Sequence, residues 1–135
     1  MRLAVDANVP LSIAMGGAAA RLVTRPNFEL FTTRHTFDET LEYLPILAAR
    51  KGLRLERMER AFQAVPIKII PAEQFAARRE EAERRMAQRD PEDVDLLALA
   101  MHLALTIWTN DRDFEVSGLP VVSTAQSLAQ FEQIP

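Results

Sequence analysis

The chain contains no cysteine, which excludes disulfides, thiolate nucleophiles and cysteine-ligated zinc together. Histidine is nearly missing as well. His35 and His102 are the only two, a poor supply for an imidazole metal cage or a Ser-His-Asp site. Basic charge is not in excess: sixteen Lys and Arg against nineteen Asp and Glu leave a net charge of −3. That excludes the whole-molecule positive field that attracts nucleic acid unaided. The longest nearly apolar run, Leu96 to Trp108, is thirteen residues broken by His102 and Thr106, too short to span a bilayer. The opening MRLAVDANVP carries Asp6 where a signal peptide needs an apolar region. Gly16-Gly17 fits neither a phosphate-loop nor a dinucleotide-loop pattern. The expectation is a soluble, cytoplasmic protein with no membrane association.

What is present is the composition of one globular domain covering residues 1–135, 48% hydrophobic and 26% charged. A chain of this length buries roughly two-thirds of its unfolded surface and needs no staples. Short β-rich runs alternate with helical stretches. Arg2–Val5, Phe28–Phe31, Ile67–Ile70, Thr106–Trp108 and Pro120–Ser123 read as strands. Val9–Val23, loosened by Gly16 and Gly17, reads as helical, as do Thr36–Arg50, Arg54–Val65, Ala72–Gln88, Leu96–Leu105 and Ala125–Phe131. Pro45 is expected to kink or interrupt its helix. The strand runs are continuously apolar, the pattern of a mostly parallel sheet covered on both faces.

In such a sheet, ligands bind beyond the carboxyl ends of the strands. The first strand ends in Val5-Asp6-Ala7-Asn8, and the strand at Trp108 ends in Thr109-Asn110-Asp111-Arg112-Asp113. A helix opening at Asp90-Pro91-Glu92-Asp93 reaches the same edge. Asp6, Asp93 and Asp111 therefore converge from three separated positions. Asp90 before proline reads as a helix cap, with Asp93 at a capping-box spacing. Helical geometry puts Asp93 on the apolar face of Leu97, Ala100 and Ala104, and Asp95 on the solvated face of Ala98 and His102. Clustered carboxylates repel and raise one another's pKa. A hard divalent cation with oxygen ligands relieves the conflict, activates a bound water and holds a phosphate oxygen. On these grounds alone, a metal site and ordinary caps and loop acids both remain open.

The blocks VDAN, FDETLEYL, RDPEDVDLLALA and IWTNDRDF, spread over nearly the whole chain, resemble the PIN domain, the metal-dependent ribonuclease fold that includes the VapC-type toxins. The spacings match the family: sixteen residues separate Asp93 from Thr109 and eighteen separate Asp93 from Asp111. The resemblance implies a three-layer α/β/α sandwich around a mostly parallel sheet of about five strands, commonly a homodimer. It implies that Asp6, Glu39, Asp93 and Asp111 hold Mg²⁺ or Mn²⁺, with Asp113 as an extra acid and Asn8 and Thr109 in support. It further implies an endoribonuclease, with an antitoxin protein as partner in the toxin–antitoxin members. Asp38 and Glu42 compete with Glu39 as the second acid, because the apolar stripe Phe37, Leu41, Leu44, Ala48 does not select among them.

Fourteen of the sixteen basic residues are Arg, suited to bidentate phosphate contacts. Arg25, Arg34, Arg89 and Arg112 are nearest the acidic edge in chain order and are the candidates for holding RNA there. RREEAERRMAQR reads as a solvated helix laced with i,i+4 pairs, burying Phe75, Ala82 and Met86. Arg78, Arg85 and Arg89 form an alternative phosphate-facing row. His102 reads as structural or at a subunit contact, His35 as a surface loop residue and Trp108 as core. Two other functions compete. Asp6-Ala7-Asn8 partly matches the D-x-D of Asp-nucleophile phosphatases, although Lys51 and Lys68, the only lysines, fall away from the acidic edge. A non-catalytic RNA- or protein-binding module is the other.

Overall fold

The computed structural model describes residues 1–24, 27–86 and 90–132. Five strands form one parallel sheet: β1 (Arg2–Val5), β2 (Glu29–Thr33), β3 (Ile67–Ile70), β4 (Thr106–Trp108) and β5 (Val121–Val122), in the order β3-β2-β1-β4-β5. Successive side chains point to opposite faces, and both faces of β1 are buried. Leu3 and Val5 pack with Val9, Ile13, Leu22, Leu30 and Trp108 on one side. Ala4 packs with Phe31, Phe75, Leu97, Ile107 and Phe114 on the other. Helices α1 (Asn8–Ala14), α2 (Ala18–Val23) and α8 (Thr124–Glu132) supply the first layer. Helices α5 (Ala72–Phe75), α6 (Arg79–Met86) and α7 (Val94–Leu103) supply the second. A third apolar cluster joins α1 to α3 (Arg34–Lys51) and α4 (Leu55–Gln63) through Leu11, Leu44, Ala48, Met58 and Phe62. This is the expected three-layer α/β/α arrangement. No described helix is long and apolar enough to cross a membrane.

Several elements differ from the sequence reading. The first helical stretch is two helices, because Gly16 takes φ +75° after α1 and turns the chain. Pro45 does not break α3, which runs eighteen residues. Pro45 and Leu41, whose carbonyl loses its helical donor to the missing N–H, both lie on the exposed side. The buried stripe of α3 is Thr36, Thr40, Leu44 and Ala48, whereas Leu41 is exposed. The charged stretch from Ala72 is α5, a 3-10 turn (Ala76–Arg78) and α6, yet Phe75, Ala82 and Met86 are all buried as expected. Its predicted end at Gln88 lies outside the described residues.

Helix α7 ends at Ala104, which is exposed and left-handed (φ 55°, ψ 51°), and not on an inward face as the helical spacing suggested. Leu105 N–H donates to the Ala100 carbonyl at 2.9 Å, closing the turn. An L side chain costs roughly 1–2 kcal/mol in this conformation, part of which glycine returns through its floppier unfolded chain. Ala104→Gly is therefore expected to raise stability by up to about 1 kcal/mol in urea denaturation. A loss of that size would place residue 104 inside the helix instead.

Candidate metal centre

The chain leaves β1 for one side of the sheet and returns to the other through β4, so a crevice opens beyond the carboxyl ends of these neighbouring strands. Asp6 sits at that point. Its N–H continues the β1–β4 pairing by donating to the Trp108 carbonyl at 3.2 Å. Its carboxylate is buried and holds two bonds: Oδ1 accepts from Ala7 N–H at 2.7 Å, and Oδ2 accepts from the Thr109 hydroxyl at 2.8 Å. Thr109 Oγ1 in turn accepts from Asp111 N–H, and Asp111 Oδ1 from Asp113 N–H, both at 3.0 Å. One chain of hydrogen bonds thus runs from β1 across β4 and fixes the loop that carries Asp111 and Asp113.

The other acids arrive on helix starts. Thr33 ends β2 and caps α3 by accepting from Thr36 N–H at 3.0 Å, which places Glu39 half-buried in the second turn. Asp90 caps a 3-10 turn (Pro91–Asp93) by accepting from Glu92 N–H at 2.9 Å. Asp93 follows at the entry to α7 and caps nothing with its side chain. Its half-buried carboxylate is therefore not explained as a structural cap. One oxygen each from Asp90, Asp93 and Asp113 lies within 4.8 Å of the others. Asp6, Glu39 and Asp111 stand outside this tight trio but within its electrostatic reach.

Burial and mutual repulsion raise the carboxyls of Asp93, Asp6 and Glu39. The Asp93 carboxyl is pushed up to about 8, first by burial and then by Asp6, Asp90, Asp111 and Glu39. Asp6 is raised by burial, against the opposing bonds from Thr109 and Ala7, with Asp111 and Asp90 adding to the rise. Glu39 is raised by burial and by Asp6, with His35 partly offsetting. The donors are all carboxylate oxygens, crowded and hard, and they suit a divalent cation of the same character.

The remaining site candidates divide. Asn8 is exposed at the first position of α1 and lines a cavity with Ala7, Leu11, Glu39 and Tyr43. Thr109 is buried, and Arg112 is exposed over a cavity it shares with Thr109, Asn110 and Asp111. Arg34 pairs weakly with Asp38 at 3.7 Å and lies over the Phe37 ring. Asp38 and Glu42 are exposed, whereas Glu39 is half-buried and has its carboxyl raised by burial and by Asp6. Arg85 is not free for phosphate, because it donates to the Ser117 carbonyl at 2.6 Å and to Glu81 at 2.7 Å. Arg25 and Arg89 lie outside the described residues. Asp95 is not freely solvated: Arg79 pairs with it at 2.9 Å. His35 belongs to the first turn of α3 and meets the Glu92 carboxylate at 2.6 Å. Lys68 lies over the Phe31 ring, and Lys51 ends α3. Asp90 is the member of the group that sequence reasoning kept as a cap only. The available signal was its position three residues before Asp93, one turn away on the same side.

Residues 4–132 match the family model described as PIN domain. Among solved structures, the chain is similar to VapBC2 from Rickettsia felis bound to a DNA fragment from their promoter, with TM-score 0.71 and 12% identity over 91% of this chain and 98% of that one. It is similar to FitAcB from Neisseria gonorrhoeae, with TM-score 0.63 and 20% identity over 91% and 98%. It is also similar to VapC20 from Mycobacterium tuberculosis, a toxin that cleaves the sarcin-ricin loop, with TM-score 0.59 and 18% identity over 87% and 95%. At these identities the likeness is one of fold. No curated protein matches the sequence.

The raised carboxyls set the pH dependence of the metal-free chain. Folded Asp93 keeps its proton until about 8, whereas the unfolded chain releases it in the usual carboxylate range. Folding takes up a proton across that window, so stability falls as pH rises through it and levels off above. Urea midpoints in EDTA are expected to be lower at about pH 9 than at about pH 5, with the difference smaller in Asp93→Asn. A midpoint that climbs with pH would contradict the crowding.

Proposed function

The chain belongs to the PIN-domain family, and from that footing we propose that it is a divalent-metal-dependent endoribonuclease. The observation that carries the reading is the set of acids beyond β1 and β4, with Asp93 pushed up to about 8 although it caps no helix. Asp6, Glu39, Asp93, Asp111 and Asp113 are the proposed ligands of Mg²⁺ or Mn²⁺, and Asp90 joins them as a neighbour of Asp93 and Asp113. When bound, the cation supplies Lewis-acid stabilisation of the phosphate and an acidified water.

The chain's own residues do the rest. The Ala7 N–H and Thr109 hydroxyl hold both oxygens of Asp6, so this carboxylate is oriented before any ligand arrives. The proton that Asp93 keeps to about 8 must leave before the residue ligates, so metal binding and activity rise with pH through that region. Asn8, exposed in a cavity shared with Glu39, and Arg112, exposed in one shared with Asp111, are the proposed contacts to RNA, together with the exposed Arg34. Lys68 is engaged with Phe31 and Lys51 lies at the far end of α3, which counts against an Asp6 phosphoryl-enzyme.

An antitoxin protein is the proposed partner, with the chain as toxin, since similar folds include VapBC complexes. A homodimer in the cytoplasm is the proposed state.

Incubation with mixed RNA in Mn²⁺, Mg²⁺ or EDTA tests the activity: cleavage with either ion and none in EDTA is expected. Asp6→Asn and Asp93→Asn should each slow cutting by about a thousandfold or more, the several kcal/mol that misplacing a Lewis acid removes. Millimolar Mn²⁺ should raise the Tm of the native chain and not that of the double variant. Cutting that survives both EDTA and the double substitution would sink the proposal.

A further inference from the structure

Three cavities flank the carboxylates, and their chemistry differs. The one lined by His35, Arg79, Pro91, Glu92 and Asp95 is spanned by the His35–Glu92 contact and the Arg79–Asp95 ion pair. The one beyond β4 and β5 is polar, lined by Arg112, Glu115, Ser123 and Gln126 among others. Its helix start is already satisfied, because Ser123 and Gln126 bond each other's backbone N–H at 3.1 and 2.9 Å. The third, about 180 Å³ between α1 and α3, has a different lining: Ala7 and Leu11 as apolar floor, Asn8 and Glu39 as polar edge, and Tyr43 as wall.

Tyr43 is the chain's only tyrosine. It stands one helical turn after Glu39, on the same flank of α3. Its neighbours Thr40 and Leu44 are about 1% exposed, but Tyr43 is 45% exposed. The ring is thus left in water beside the acids, anchored on a long helix whose next residue is locked in the core. No hydrogen bond among the described residues engages its hydroxyl. A flat, half-exposed aromatic over an apolar floor, with an amide that both donates and accepts, is the equipment for one nucleobase. Every base has a face that stacks on an aromatic ring and an edge that pairs with an amide. A phosphate is the wrong occupant, because Glu39 is the only ionisable acid or base in the lining apart from the phenol itself.

We infer that the Ala7–Asn8–Leu11–Glu39–Tyr43 cavity is a base-binding subsite, in which Tyr43 stacks the RNA base adjoining the scissile phosphate and Asn8 reads its edge. Tyr43 and Asn8 then set where the chain cuts, while the acids carry the reaction. The inference rests on the ribonuclease reading and deepens it.

A random-sequence oligoribonucleotide pool, cut in Mn²⁺ and sequenced at its new ends, tests it. The native chain is expected to favour certain bases at one position beside the cut. Tyr43→Leu should raise KM by about tenfold, the size of one lost base–aromatic stack, with kcat much less affected and a flatter end-sequence bias. Tyr43→Phe keeps the ring and should rescue most of the loss. Asn8→Ala should flatten the bias more than it raises KM. Equal Tm values for native and Tyr43→Leu chains confirm that the exposed position leaves the fold intact. If the native chain cuts and Tyr43→Leu matches it in KM and end sequences, the subsite is wrong and the ribonuclease reading stands. If the native chain cuts nothing in the pool, both fall.

Discussion

The arrangement turns on electrostatic repulsion confined at a topological switch point. A parallel sheet with neighbouring β1 and β4 delivers their loops, and the starts of α3 and α7, to one crevice. Each of these brings acids. Burial keeps water from screening the charges, and the carboxyls of Asp93, Asp6 and Glu39 are raised, that of Asp93 to about 8. The scaffold has to withstand this crowding. Two apolar clusters clamp the sheet from both faces, and the acid at its centre is tied on both oxygens. Asn8, Tyr43 and Arg112 are exposed in the cavities beside these acids.

The same crowding explains what was legible in the sequence. Mostly apolar runs bound β1, β3 and β4 to the residue, although β3, at the sheet edge, carries the exposed Lys68 and is only partly buried. Acids placed just after β1 and β4 then pointed to the crevice by the geometry of parallel sheets alone. Helical spacing did not separate Asp93 from Asp95 by burial: both are half-buried, Ala98 on the face of Asp95 is fully buried, and Asp95 is held by Arg79. Glu39 was different. The apparent stripe through Phe37 and Leu41 suggested the wrong inward face for α3, because the helix buries two threonines there. Apolarity does not mark Thr36 and Thr40, which are accommodated by bonds within the helix and its cap.

Asp90 illustrates a second limit. A residue that satisfies a backbone donor has a sufficient local explanation, and nothing in its neighbourhood demands another. Yet Asp90 both caps the turn and lies against Asp93 and Asp113. Spacing also misplaced Ala104, and the interruption expected at Pro45 does not occur. Helical periodicity continues past a left-handed terminus that only backbone geometry reveals, and a proline on a water-facing side costs the helix less than one in its core.

The bond between Thr109 and Asp6 spans 103 positions of sequence, and its route is through adjacent strands at the middle of the sheet. During synthesis, a ribosome-attached fragment ending before Thr106 has β1 paired with β2 but without β4, and Asp6 sits beside an open sheet margin. No such fragment has the crevice, whatever its helices have already formed. Proteolytic loss of the distal third has the same effect. The crevice needs β4 beside β1.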